Sequence, residues 1–476
     1  MKTLTLLLPA LLLVAAGASA PLRGSSAMAP TRPNIVLFLA DDLGWADVPW
    51  HGSTARMPNL ERLARDGTRL ESHYVHPMCS PTRAALLTGR YASRFGVTKA
   101  QNERALPWNT VSLASALKQA GYDTALVGKW HLGSRPEEGP RKFGFDHGYG
   151  SLAGGVTPYT HRYKEGPFSR TWHRDGRILE EKGHVTDLLA EEAVRWVDSR
   201  SDRPFFLYVP FTAIHVPIDE PDRWQAVNPH LTDPAQRLRA AAASHMDDAI
   251  GRVLAALERR KLRENTLVLF LSDNGAHPPT ANQGGPYPGD FGPLKVGNDN
   301  RPWRGFKTEV YEGGIRTPGV AHWPGRIPQR ELDAPIHAVD WMPTLCALSG
   351  AAPRGELKWD GRDIGPLLFR RQTHSAPRTL YSAGVSFGSA AVRHGNWKLV
   401  TTYTPDRTGD RSRLDPDRKV VSEELFDLSS DPAEAHNLAA PEPERLREMR
   451  NRLKEISARD GDAAVRPAAV EGESRQ

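Results

Sequence analysis

The stretch Asn34-Ile35-Val36-Leu37-Phe38-Leu39-Ala40-Asp41-Asp42 runs almost without a polar residue until it ends in two carboxylates. A strand with one wet face alternates polar and apolar residues. A strand that does not alternate is buried on both faces, as in the central sheet of an α/β protein. Three further runs have the same texture: Thr124-Ala125-Leu126-Val127-Gly128, Phe205-Phe206-Leu207-Tyr208-Val209 and Thr266-Leu267-Val268-Leu269-Phe270-Leu271. Helical patterns separate them, at Ser112 to Ala120, at Val185 to Val197, and around Met246, Ile250, Val253, Leu254 and Leu257 with three-and-four spacing. The alternation predicts a layered α/β body with a mainly parallel sheet between helices. Ligands in such sheets bind just beyond the carboxyl ends of the strands. The first and fourth runs end there in Asp41-Asp42 and Asp273-Asn274.

Taken singly, Asp-Asp is commonly a solvated turn and Asp-Asn-Gly a β-turn. Placed together at two strand ends, the three carboxylates and one amide predict a metal site. Oxygen donors of this kind suit a hard cation, and calcium fits best because it accepts irregular oxygen cages.

The sharpest local signal is Cys79-Ser80-Pro81-Thr82-Arg83 ahead of Ala84-Ala85-Leu86-Leu87. Proline suits the first turn of a helix, so Cys79 is expected at a helix start, where free N–H groups and the positive dipole end face an anion. The other cysteine, Cys346, lies in the apolar helical pattern Trp341 to Leu348 and reads as a buried structural thiol.

Extended to Thr88-Gly89-Arg90-Tyr91, the cysteine segment resembles the type I sulfatase family, in which Cys-x-Pro-x-Arg directs oxidation of the cysteine to formylglycine. A second family signature is Gly121-Tyr122-x-Thr124-Ala125-x-Val127-Gly128-Lys129-Trp130-His131-Leu132-Gly133, and the resemblance covers about residues 32 to 440. It implies an alkaline-phosphatase-like fold and a sulfuric ester hydrolase. It further implies that Asp41, Asp42, Asp273 and Asn274 hold one calcium ion together with the modified Cys79 and the substrate sulfate. Arg83 is expected to hold the formylglycine hydrate, with Lys129 and His131 beside it. His215 in Ala213-Ile214-His215-Val216-Pro217, and Lys307 ahead of Tyr311-Glu312-Gly313-Gly314, match the remaining sulfate-contacting positions. The sulfate-site serine of some members has no clear match in the loop Gly150 to Thr160.

The chemistry supports these roles. An aldehyde hydrate has two hydroxyls on one carbon, so one can attack sulfur while the other later expels sulfate. The cation, Arg83, Lys129 and Lys307 offset charge on the sulfuryl oxygens. His215 is expected to protonate the departing alkoxide and His131 to take the proton of the second hydroxyl. His73, His76, His245 and His277 read as structural, and Asp247-Asp248 as capping a helix face. Trp303-Arg304 and Tyr159-Thr160-His161 read as the substrate rim, where sugar-sulfate pockets use rings and arginine.

The phrases Ala40 to Trp45, Trp303 to Lys307 and Phe205 to Val209 look most like the arylsulfatase B branch. They imply a sulfated, galactosamine-containing glycosaminoglycan as substrate, with simple aryl sulfates as surrogates. Two rival readings differ in their predictions. A phosphate or phosphonate monoester hydrolase of the same superfamily prefers aryl phosphate, and a non-catalytic glycan-binding protein has gaps in the catalytic set.

Residues 1–20 read as a cleavable signal, with Lys2, an apolar run and Ala18-Ser19-Ala20. This implies an exported, periplasmic or secreted protein, free of the membrane after cleavage. The maturation enzyme that makes formylglycine is its one implied protein partner. The net charge of +6 fits a polyanionic substrate, and no nucleic-acid motif accompanies it. A chain of 476 residues exceeds one core, so a catalytic domain over 31–380 and a small α+β subdomain over 381–460 are expected. Within the latter, strands read at Ala390–His394, Trp397–Tyr403 and Val420–Leu428, with a helix from about Glu442 to Ser457. The tail 461–476 reads as disordered.

Overall fold

A computed structural model describes residues 32–354, 357–370, 376–406, 413–415 and 418–465. The expected signal at 1–20, most of the charged loop between Pro405 and Arg418, and the end of the tail from 466 lie outside them.

The four apolar runs form strands β1 (Asn34–Ala40), β2 (Asp123–Lys129), β3 (Phe205–Pro210) and β4 (Thr266–Ser272), in spatial order β4-β1-β3-β2 and all parallel. Ala40 pairs with Ser272, so the next residue of each strand, Asp41 and Asp273, emerges beside the other. Beyond β4 the ten-stranded sheet continues with the antiparallel Gly319–His322, then Thr68–Leu70 and Arg330–Leu332. Beyond β2 come His147–Ser151, Trp172–Arg174 and Arg177–Ile178.

Every residue of β1 is buried, because both faces of the sheet are covered. Ile35, Leu37 and Leu39 pack under α1 (Cys79–Thr88) and the helices Leu113–Gln119 and Trp341–Ser349. Val36, Phe38 and Ala40 pack against α2 (Val185–Asp198) and α3 (Pro234–Arg259) on the other face. Helix α3 begins where its sequence dictates: Pro234 occupies the first turn and the Asp233 carboxylate accepts from Gln236 N at 2.8 Å. Asp247, within α3, accepts from Leu60 N at 2.7 Å and Asn59 N at 3.1 Å, capping the helix Pro58–Asp66.

The C-terminal sheet has one strand more than expected. Thr379–Ala383, Ser389–His394, Trp397–Tyr403 and Val420–Asp427 run antiparallel, with helix Pro443–Ser457 on one face. Ala85 of α1 joins the core of this sheet, with Val75, Tyr91, Leu399, Leu425 and Met449, while Ala84, Leu86 and Leu87 belong to the main sheet. Helix α1 is therefore wedged between two sheets and all ten of its residues are buried. The tail is held further than its composition suggests. Asp460 bonds the buried Arg94 at 2.8 Å and the Tyr381 hydroxyl at 2.7 Å, and Gly461 N and Ala463 N donate to Ser93 O and Arg94 O.

Strands β2 and β3 approach unusually closely at Gly128, whose φ is +145° and where an added Cβ would fall 1.9 Å from Pro210 O. Gly128→Ala is expected to cost about 3 kcal/mol through overpacking and backbone strain, read as a lower urea midpoint at unchanged slope.

Candidate active site

The two acidic pairs converge as the strand order requires. Asp41 Oδ2 accepts from Lys129 Nζ at 2.5 Å, and Lys307 Nζ lies 2.7 Å from Asp42 Oδ1. Asp42 takes a left-handed backbone (φ +65°), a conformation that Asp tolerates better than most residues. Its Oδ1 accepts from Asn274 Nδ2 at 2.8 Å, and its N–H donates to Asp273 Oδ1 at 3.3 Å. Asp273 Oδ2 accepts from Arg83 Nε and Nη2 at 3.1 and 2.8 Å, while Arg83 Nη1 donates to Lys129 O at 2.7 Å. Arg83 is thus bonded to Asp273 and the end of β2.

Two acceptors in this buried cluster, Asp41 Oδ1 and Asn274 Oδ1, have no hydrogen-bond partner among the described residues. A buried acceptor without a donor is costly, and two of them beside three carboxylates match the needs of a hard cation. Ligand atoms of Asp41, Asp42 and His215 lie within 4.8 Å of one another. Burial, opposed by Lys129 and reinforced by Asp273 and Asp42, pushes the Asp41 carboxyl up to about 7. Burial works the same way on Asp42, but Lys307, helped by the Asn274 hydrogen bond, outweighs it and holds that carboxyl well below the usual range.

Cys79 is the first residue of α1 and is only 2 % exposed. Its neighbours fix the helix start: Ser80 Oγ donates to His131 O at 2.9 Å and accepts from Gln101 N, while Thr82 Oγ1 bonds the backbone of His76. Burial raises the thiol pKa, against the pull of Lys129 and Lys307. His131 adopts φ +57°, and neither buried ring nitrogen has a partner among the described residues. His215 directs Nδ1 at Val216 O, so Nδ1 carries the proton and Nε2, 3.7 Å from Asp42 Oδ2, faces the site. Burial first, then Lys129 for His131 and Lys307 for His215, push both imidazoles well below their ordinary pKa, so both rest neutral.

In the loop Gly150 to Thr160, Ser151 is buried with its Oγ on Ala153 O (3.2 Å) and Thr171 Oγ1 (3.3 Å), and two glycines follow beside the histidines. A Cβ on Gly154 would fall 2.4 Å from His131 Nε2, and one on Gly155 would fall 2.7 Å from Tyr287 Oη. The backbone therefore approaches His131 and Tyr287 as closely as only glycine allows.

Some rim expectations fail. His161 is buried, stacked on Trp172 at 4.6 Å with Nε2 on Gly183 O. Arg304 pairs with Glu424 at 3.0 Å, joining its loop to the C-terminal sheet. Tyr159 is exposed but packs edge-on to His184. Among the structural histidines, His245 is held by Glu220 at 2.7 Å and Asp187 at 3.3 Å, and His73 accepts from Trp341 Nε1.

Other residues carried no sequence signal. Asn298 bonds Asp42 O, and Asn300 Oδ1 accepts from Ala276 N at 2.8 Å, so one loop ties down the segments leaving both β1 and β4. Behind the Lys307 loop, Lys398 is buried between Glu312 (2.9 Å) and Glu434 (2.7 Å). Only the alternating Trp397-Lys398-Leu399 precedes that contact in sequence.

A parallel sheet whose strand ends gather carboxylates, two lysines, an arginine and a helix start defines an alkaline-phosphatase-like hydrolase of oxyanion esters. Residues 33–351 match the family Sulfatase, and the chain belongs to that family; it is a sulfuric ester hydrolase. It is 34 % identical to N-acetylgalactosamine-6-sulfatase of Canis lupus familiaris over 462 residues, covering 88 % of this chain and 84 % of the relative. With arylsulfatase G of Rattus norvegicus it shares 33 % over 87 % of this chain and 84 % of that one. The crystal structure of Ps i-CgsB in complex with k-i-k-neocarrahexaose superposes with a TM-score of 0.78 at 28 % identity, covering 92 % and 95 % of the two chains.

Proposed function

We propose that this sulfatase acts on sulfated glycans, with a galactosamine-containing glycosaminoglycan as preferred substrate, and that Cys79 is its oxidised, catalytic position. The observation that carries the site reading is the pair of unpartnered oxygens, Asp41 Oδ1 and Asn274 Oδ1, beside Cys79 at the start of α1. The buried thiol with its raised pKa is a poor nucleophile as it stands, which supports conversion to formylglycine. That group, once made, supplies two geminal hydroxyls, one to attack sulfur and one to expel sulfate. Asp41, Asp42, Asp273 and Asn274 would hold calcium, which offsets charge on the sulfuryl oxygens.

The chain's own residues do the rest. Lys129 and Lys307 flank the cluster and bind the anionic ester. An incoming sulfate offsets the lysine charge that depresses His215, so its Nε2 gains a proton to deliver to the leaving oxygen. His131, neither of whose ring nitrogens has a partner among the described residues, takes up the proton released in expelling sulfate. Arg83 orients Asp273 and the end of β2. Since α1 is wholly buried, the maturation enzyme meets Cys79 before the chain closes, in keeping with export after maturation.

The glycan reading is supported by the N-acetylgalactosamine-6-sulfatase likeness over most of the chain. It favours a 6-sulfate, a position the sequence alone leaves open. Mass spectrometry of the tryptic peptide containing Cys79 is expected to show replacement of the thiol by an aldehyde. Rates on aryl sulfate should exceed those on aryl phosphate, and 6-sulfated N-acetylgalactosamine should outrank the 4-sulfated sugar. A peptide found only as free thiol in active enzyme, or a large phosphate preference, sinks the reading.

A further inference from the structure

We propose that Lys164, seated over Tyr163 and Tyr287 next to the reaction centre, is an anion subsite that takes a second negative group of the substrate: a carboxylate or second sulfate on the sugar adjoining the one desulfated. The inference rests on the glycan reading and deepens it.

Lys164 Nζ lies 5.9 Å from the Tyr163 ring centroid and 5.5 Å from that of Tyr287, and the two rings meet edge-on at 5.8 Å. The absence of a side chain at Gly285 makes the seat, because a Cβ there would stand 3.0 Å from Lys164 Cε and 3.2 Å from Nζ. The same turn rests on the catalytic loop: a Cβ on Gly284 would fall 2.5 Å from Val216 Cγ2. Tyr287 Oη and His215 Nδ1 flank one glycine, at 2.7 and 3.7 Å from a Cβ built on Gly155. One aromatic ring therefore separates the lysine from the imidazole at the leaving-group side.

The neighbouring arginines share an acidic partner, and among the described residues Lys164 has none. Arg162 and Arg170 both pair with Glu180, at 3.0 and 3.2 Å. Among the described residues Lys164 forms no ion pair, and its contacts are the two tyrosine faces. Burial, then Lys307, lowers its pKa, which places it in the field of the reaction centre. A half-buried ammonium without a counter-charge, in a field already positive, favours an anionic ligand, and the tyrosine faces supply the stacking surface a sugar ring uses.

The test uses the matured full chain and Lys164→Gln and Lys164→Glu. Three substrates are compared: 6-sulfated N-acetylgalactosamine, the same sugar linked to a uronate, and a carboxyl-reduced disaccharide carrying a second sulfate. Each rate constant kcat/KM is divided by that for the monosaccharide, which cancels differences in folded or matured protein. We expect wild type to favour one of the charged disaccharides, and which one identifies the second anion. Lys164→Gln should lower that ratio about tenfold through KM, and Lys164→Glu further. Ratios unchanged in both variants overturn the subsite and leave the sulfatase reading intact. A wild type that cleaves 4-nitrophenyl sulfate but none of the three sugars overturns the glycan reading, and the subsite with it.

Discussion

Cys79→Ala is expected to reduce kcat on an aryl sulfate by about 10,000-fold or more, the scale seen when a covalent nucleophile is removed. The protein should stay folded. Cys79 is buried at the first position of α1, but the bonds that fix this helix start belong to Ser80, Thr82 and Arg83. Loss of one sulfur from a packed site costs about 1 to 2 kcal/mol, so the urea midpoint should fall only slightly. Substrate binding is expected to survive, since Lys129 and Lys307 are untouched. A stopped assay for activity, a denaturation curve and equilibrium binding of an aryl sulfate separate the three effects. Wild-type turnover by the alanine variant would remove Cys79 from the mechanism altogether.

Asp273→Ala should strike both stability and activity. Asp273 and Arg83 are each fully buried, and two of the arginine's three side-chain hydrogen bonds go to this carboxylate. Truncating one partner of such a pair leaves an uncompensated charge in the interior, at a cost of about 3 to 5 kcal/mol. Asp273→Asn keeps the shape and one acceptor for Arg83 but removes the negative charge that a cation needs. It should therefore lose less stability than the alanine variant while losing most of its activity. Added calcium should raise the melting temperature of wild type, because a ligand bound only by the folded state stabilises it, and should raise that of Asp273→Asn much less. Equal calcium responses in the two proteins would show that the cation does not sit on Asp273.

Much of this site could be read from the chain because its chemistry is concentrated in short segments. Asp41-Asp42 and Asp273-Asn274 come directly after uninterrupted apolar strands, and Cys79 to Arg83 occupies little more than a single helical turn. Lys129 and His131 close β2. The outer strands are not readable in the same way: Thr68–Leu70 and the edge strand Arg330–Leu332 have three residues each, too few for any pattern to emerge. The rim was misread because an aromatic or basic residue in a loop faces outward or inward according to what packs on it. His161 turned in to stack on Trp172, and Arg304 turned aside to Glu424.

The doubly buried parallel sheet, the two acidic strand ends and the helix that begins at Cys79 are legible in the chain alone, since each is written in contiguous residues by hydrophobicity and local backbone preference. The folded structure alone shows which lysine meets which carboxylate, that Gly154 lies against His131, and that Lys164 lies over two tyrosines with no acidic partner among the described residues. Those contacts join segments tens to hundreds of residues apart. Their geometry depends on strand order and loop packing, and no local pattern along the chain encodes it.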